Sequence, residues 1–148
     1  MRKIFYADDD CDDIETFVTA VKELDEITLN KIELQVYSSG TELLKDLKAL
    51  KPKDCIIFLD INMPQKNGFE ILTEIRTDND LCTLPVIMYS TAFDGRTINT
   101  SQELGASLYA VKPYSITDIA NLIKMVTEIH WEGYNAQPAD FVINKSQL

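Results

Sequence analysis

Short apolar runs alternate along this chain with stretches in which apolar residues recur at helical spacing. Ile4 to Ala7 is a run of strand formers that stops at Asp8-Asp9-Asp10. Ile14, Phe17, Val18, Val21 and Leu24 then recur as one face of a helix does. Ile32 to Tyr37 alternates apolar and polar residues, the pattern of a strand. Ser39-Gly40-Thr41-Glu42 fits a capping box, and Leu43, Leu44, Leu47 and Leu50 line the helical face behind it. After the break at Lys51-Pro52-Lys53-Asp54, Cys55 to Leu59 reads as a strand buried on both faces, closing on Asp60. A loop through Pro64 and Asn67-Gly68 leads to a short helix marked by Phe69, Leu72 and Ile75, which closes at Asp78-Asn79-Asp80.

The second half repeats the pattern. Leu84 to Tyr89 reads as a strand with Pro85 near its start, where proline is tolerated, and it runs into Ser90-Thr91-Ala92. Asp94 to Leu104 is a polar, weakly amphipathic helix ended by Gly105 as its C′ residue. Ser107 to Val111 is a last strand, followed by Lys112-Pro113-Tyr114. Ser115-Ile116-Thr117-Asp118 caps a final helix whose face is Ile116, Ile119, Ala120, Ile123 and Val126. Strand and helix thus alternate about five times, which implies an α/β fold: a parallel sheet with helices on both faces and right-handed crossovers. Periodicity fails after His130, so residues 1–130 are expected to form the domain and 131–148 a C-terminal tail; Trp131, Tyr134, Phe141 and Val142 allow part of it to pack back on the domain, with a flexible end as the simplest reading.

In a parallel sheet the carboxyl ends of all strands share one edge, where ligands bind. That edge collects Asp8 and Asp9 from the first strand, Asp60 from the third, Ser90 and Thr91 from the fourth and Lys112 from the fifth. Three carboxylates close together repel unless a cation intervenes. Mg²⁺ takes oxygen ligands and suits one or two carboxylates plus a phosphate. Asp60 is therefore expected to accept a phosphoryl group as nucleophile, with Mg²⁺ on Asp8, Asp9 and Asp60 and on the backbone carbonyl of Asn62. Lys112 supplies fixed positive charge on the other side, and Ser90 offers a hydroxyl.

The set Asp8-Asp9, Asp60 with Met63-Pro64 and Gly68, Pro85 with Ser90-Thr91-Ala92, Gly105-Ala106 and Tyr109-x-x-Lys112-Pro113 resembles the receiver domain of two-component response regulators. The resemblance implies a flavodoxin-like (βα)5 three-layer sandwich of strand order 2-1-3-4-5. It implies Asp60 as phosphoacceptor, Asp8 and Asp9 as metal holders, Ser90 as switch hydroxyl, Tyr109 as switch aromatic and Lys112 as phosphate-binding lysine. It also implies a cis Lys112–Pro113 peptide. By the same resemblance, the donor is a histidine kinase or a phosphotransfer protein. The signal then leaves through the fourth helix, fifth strand and fifth helix of the repeat to a downstream protein, as Tyr109 turns inward. Such a chain is no enzyme in its own right, but a phosphoacceptor that assists its own phosphorylation and dephosphorylation. The Asp8–Asp13 run is similar to that of single-domain receivers paired with bacterial histidine kinases, phytochrome-type ones included. Two positions depart from the common pattern: Ser90 where threonine is commoner, and Thr91 where alanine often stands.

Charge and composition narrow the rest. A net charge of −10 disfavours nucleic acid, which needs a basic footprint. No apolar stretch approaches the ~18–20 residues of a membrane span. Three cysteines without CxxC spacing read as reduced thiols, with Cys55 and Cys82 buried, and a cytoplasmic monomer or weak homodimer is expected. Other readings fit less well. An EF-hand would need glycine where Asp13 stands and glutamate where Thr19 stands. A haloacid-dehalogenase-like phosphatase leaves Asp60 unexplained. A flavodoxin-type cofactor binder would meet phosphate with a repelling acidic loop. The remaining alternative is a pseudo-receiver, an interaction module that takes no phosphate; such modules usually lack the acid pair, the acceptor or the lysine, and all are present here. Phe93 and Tyr114 flank the expected output face as candidate contacts, and His130 is expected to cap the last helix.

Overall fold

The computed structural model describes residues 1–148. Five strands form where the β-favouring runs lie: β1 Arg2–Ala7, β2 Ile32–Tyr37, β3 Cys55–Leu59, β4 Val86–Ser90 and β5 Leu108–Val111. Six helices lie between and after them: α1 Cys11–Lys22, α2 Glu26–Leu29, α3 Gly40–Leu50, α4 Gly68–Thr77, α5 Gly95–Glu103 and α6 Ile116–Glu128. The single turn of α2, capped by Asp25 onto the Thr28 amide, is too short for periodicity to reveal. Because it interrupts the repeat, the fourth and fifth repeat helices are α5 and α6.

A sixth strand, β6 Val142–Ile143, joins them; all strand pairings are parallel, and the order is β2-β1-β3-β4-β5-β6. The fold is flavodoxin-like, as expected, but the sheet has six strands and not five. The sixth comes from the C-terminal tail, part of which packs back on the domain instead of staying loose. Its register sets Tyr109 against Val142 and Ala110 against Ile143, and the Tyr109 amide donates to the Phe141 carbonyl at 2.9 Å. Without it the β5 edge would leave a row of unpaired amides and carbonyls.

Side-chain alternation along the strands builds one core on each sheet face. Ile4, Tyr6, Ile56, Phe58, Ile87, Tyr89, Leu108 and Ala110 meet α1 and α6 on one side. Phe5, Ala7, Ile57, Leu59, Val86, Met88 and Tyr109 meet α3 and α4 on the other, where Phe141 of the tail also packs. The three-layer sandwich follows from that division.

Ser115 accepts from the Asp118 amide and Gly105 takes φ +94°, as expected; Ser39 accepts from the Glu42 amide as an N-cap, but Glu42 does not return the bond, so the expected capping box is half formed. His130 does not cap α6. Arg2 donates to the Thr127 and Ile129 carbonyls at 2.8 and 3.3 Å, and Trp131 Nε1 donates to the Val126 carbonyl at 3.0 Å. The longer guanidinium reaches the helix end from β1, and His130 stays exposed. Cys55 is buried as expected, Cys82 is only partly so, and all three thiols are free.

Candidate functional site

Strand register assembles the site. Ala7 lies opposite Leu59, so the next residues, Asp8 and Asp60, emerge side by side from β1 and β3. The Asp60 amide donates to the Ala7 carbonyl at 3.0 Å and ties the two ends together. Ser90 pairs with Val111, and the Lys112 amide donates to the Ser90 carbonyl at 2.8 Å, which carries the lysine to the same edge. Carboxylate oxygens of Asp8, Asp9 and Asp60 lie within 4.8 Å of one another. Asp8 is fully buried, Asp60 is 6% exposed and Asp9 is open to solvent.

Lys112 Nζ is the cation among these groups. It donates to Asp8 Oδ2 at 2.7 Å and Asp13 Oδ2 at 2.8 Å, and stands 3.4 Å from Asp60 Oδ1. Its ammonium also lies 5.6 Å from the centre of the Tyr89 ring. Tyr89 belongs to an aromatic cluster with Tyr6, Phe17 and Phe58 that floors the site. Tyr6 donates its phenol proton to Asp8 Oδ2 at 2.6 Å, and the Asp10 amide donates to Asp8 Oδ1 at 2.9 Å. Asp8 is thus held on both oxygens.

The electrostatics are unbalanced. Burial pushes the Asp60 carboxyl up to about 7; Lys112 works against this rise and Asp8 adds to it. Burial opposes the charge of Lys112, but its bonds to Asp13 and Asp8 and the charge of Asp60 outweigh that and raise its pKa above the ordinary lysine range. One ammonium against four carboxylates leaves an excess of negative charge. Three hard oxygen donors close together, one of them solvent-facing, suit a divalent cation of the Mg²⁺ type.

Gly68 shapes the loop after Asp60. Its amide donates to the Ile61 carbonyl at 2.7 Å, and a Cβ there would overlap the Asp60 carbonyl oxygen and stand 2.8 Å from Ile61 Cα. Asn67 makes a full capping box with Glu70 and starts α4 at that point. Asn62 lies in this loop with an exposed side chain, and no protein donor reaches its backbone carbonyl.

On the β4 side, Ser90 is buried and accepts from the Ala92 amide at 3.2 Å. Tyr109 is fully buried, and its phenol donates to the Ala92 carbonyl at 2.7 Å. Its ring is therefore already inside, where the resemblance implied a turn inward. The Lys112–Pro113 peptide is trans, as is every peptide bond in the chain, against the cis bond that the resemblance implied; trans is the lower-energy isomer even before proline. Phe93 and Tyr114 are both exposed at this end of the sheet.

Sequence reasoning missed two members of the site. Tyr6 looked like core, and only the strand register shows its phenol reaching Asp8. Asp13 stands among acidic neighbours in the first turn of α1, and only the fold shows its carboxylate accepting from Lys112.

Comparison with known proteins agrees with this geometry. Residues 10–124 match the model of the response regulator receiver domain. The chain belongs to that family. RcaC of Microchaete diplosiphon is 31% identical to this receiver domain over 122 residues, which is 82% of the chain and 18% of RcaC. Response regulator Rcp1 of Synechocystis sp. is 31% identical over 80 residues, 54% of the chain and 54% of Rcp1. The receiver domain thus spans about half of one curated relative and a smaller part of the other. Among solved structures, the phosphorylated cyanobacterial phytochrome response regulator RcpA is similar with 27% identity and a TM-score of 0.73, covering 92% of this chain and 97% of RcpA. The Mn²⁺-bound form of Rcp1 shares the fold at a TM-score of 0.71 and 23% identity, covering 93% and 99%. No helix is long and apolar enough to cross a membrane.

Proposed function

We propose that Asp60 is the phosphoacceptor of a two-component relay, and that a partner histidine kinase or phosphotransfer protein is its donor. The observation that carries this is the convergence of a nearly buried Asp60 with Lys112 Nζ at 3.4 Å and with the Asp8 and Asp9 carboxylates. An Asp60 carboxylate oxygen attacks the phosphorus of a phosphohistidine. The new O–P bond forms as the P–N bond breaks, and the leaving imidazole nitrogen keeps the electron pair and takes up a proton. Lys112 offsets charge on the transferred group's oxygens, and the Ser90 hydroxyl reorients to donate to one of them. Asp8, Asp9, Asp60 and the Asn62 carbonyl would hold Mg²⁺, which when bound offsets negative charge on the nucleophile and the phosphoryl oxygens. The similar structures of phosphorylated RcpA and of Mn²⁺-bound Rcp1 support the two parts of the reading.

The protein is not a turnover enzyme on this reading; it promotes gain and loss of its own phosphoryl group. Output follows from the links on the β4–β5 side. Ser90 bonds the Ala92 amide, and Tyr109 bonds the Ala92 carbonyl. Recruiting Ser90 to the phosphoryl group shifts that loop and, through Tyr109, the α5, β5 and α6 face, a population shift driven by a local charge event. A downstream protein reads that face; the net charge of −10 argues against nucleic acid. Free thiols suit a cytoplasmic setting.

Incubation with a phosphorylated kinase and Mg²⁺ should label the wild-type chain and leave Asp60→Asn unlabelled. Label on another residue of the variant would refute the assignment. Beryllofluoride with Mg²⁺ should shift the amide resonances of Ser90, Ala92 and Tyr109; no shift would favour an interaction module that takes no phosphate.

A further inference from the structure

We infer that Asp13 is a positioning residue that holds the Lys112 ammonium back from Asp60 and so slows phosphoryl transfer; this rests on the phosphoacceptor reading above. An ammonium has three protons to give. Here they face Asp8 at 2.7 Å, Asp13 at 2.8 Å and Asp60 at 3.4 Å, so the two shorter contacts draw the lysine away from the acceptor. Asp13 is a rigid anchor. It sits in the first turn of α1, where Asp10 accepts from the Asp12 and Asp13 amides at 2.9 and 3.1 Å. It also lies outside the group of carboxylates close enough to share one cation, which comprises Asp8, Asp9 and Asp60.

That placement separates the two competitors for the lysine. A divalent cation at the acidic cluster draws on Asp8 and weakens its hold on Lys112. It makes no such claim on Asp13. Asp13 is then the carboxylate that still competes with the phosphoryl oxygens for the ammonium. The Lys112 side chain is 9% exposed, so this contact is poorly screened, while Asp13 at 39% exposed keeps part of its hydration. Moving Lys112 toward the phosphoryl group means stretching a charge-assisted bond in a half-dry site. Asparagine at this place keeps an acceptor oxygen and removes the charge.

The test uses the full chain at saturating Mg²⁺ with acetyl phosphate as donor. The P–O bond to the acetyl group breaks, the bond from phosphorus to Asp60 forms, and acetate leaves with the electron pair. Asp13→Asn should raise the maximal labelling rate by about three- to tenfold, the scale of one charge-assisted hydrogen bond partly screened by solvent. The donor concentration for half-maximal rate should stay close to that of wild type. Asp13→Glu should restore a rate near wild type. In a Lys112→Met background the Asp13→Asn change should add nothing, because the effect runs through the lysine. An equal gain in both backgrounds, or a gain that lies in donor affinity, would show plain charge repulsion and overturn the inference. A second readout is independent of labelling. The Lys112 ammonium resonance in a ¹H–¹⁵N spectrum with Mg²⁺ should persist in wild type and broaden away in Asp13→Asn; an unchanged resonance would overturn the inference as well. A wild-type chain that takes no label would sink the phosphoacceptor reading, and the ammonium resonance would still decide whether Asp13 holds the lysine.

Discussion

Replacing Gly68 by alanine tests how tightly the fold fixes Asp60. The added Cβ would overlap the Asp60 carbonyl oxygen, stand 2.8 Å from Ile61 Cα and 3.0 Å from the Asp60 carbonyl carbon. All three atoms are backbone, so no side chain can swing aside. Gly68 is the first residue of α4, and alanine there gains at most about 1 kcal/mol of helix propensity. Forcing a methyl group into a packed place costs about 1–3 kcal/mol. Backbone neighbours put this case at the upper end, so a net loss of about 1–2 kcal/mol is expected. Urea unfolding by far-ultraviolet circular dichroism measures it. Labelling at Asp60 should fall more than stability does, because relief of the overlap moves the Asp60–Ile61 segment and the Gly68 bond to the Ile61 carbonyl with it. Equal stability together with wild-type labelling would show that the loop yields freely, and the claim that Gly68 sets the position of Asp60 would be wrong.

Other consequences are checked more simply. Phe141→Ala removes a ring that is 3% exposed and should cost about 3 kcal/mol, or the whole docking energy of the tail if that is smaller. Hydrogen exchange at the Tyr109 amide, which donates to the Phe141 carbonyl, should accelerate in that variant; unchanged protection would mean that β6 is held by other contacts. Burial pushes the Cys55 thiol up to about 12, whereas Cys11 is exposed. Brief alkylation at pH 8 followed by mass mapping should modify Cys11 and spare Cys55, and early label on Cys55 would contradict its burial.

Much of this architecture is legible in the residues alone. Strand ends announce themselves because buried runs such as Cys55 to Leu59 stop at a charge, and parallel topology sends every such end to one edge. Asp8, Asp9, Asp60, Ser90 and Lys112 met there for that reason. Three features were not legible, each for its own cause. Strand β6 has two residues and no periodicity; its place depends on the vacant edge of β5 and on Phe141 finding a hole beside Tyr109. The partners of Lys112 depend on which rotamer fits over Tyr89, so Asp13 could not be told from its acidic neighbours. The α6 carbonyls went to Arg2 and not to His130, because a residue distant in sequence competes with a neighbour only once the chain has folded.

The same acidic edge that suits the site for chemistry works against the fold, and the sign of that conflict can be measured. Asp60 has its carboxyl raised from an ordinary 3.8 to about 7, with burial as the largest cause. A carboxyl raised by folding binds its proton more tightly in the native state than in the unfolded one. It therefore takes stability away as pH climbs through the window between those values, and the loss is complete above about 7. The side chain is 9% exposed, so solvent screens little of this cost. Asparagine cannot ionise. In the presence of a chelator, Asp60→Asn should be the more stable chain at pH 8 and lose its advantage near pH 4. Excess Mg²⁺ should shrink the difference at pH 8, because a cation stabilises the ionised carboxylate and gains nothing comparable from the amide. Carboxyl ¹³C shifts of wild type should place the Asp60 titration near neutrality without metal and lower with it. An Asp60→Asn chain less stable than wild type at pH 8 under chelation would mean that Lys112 already compensates the buried charge in full. The acceptor would then carry no strain for a cation or a phosphoryl group to relieve.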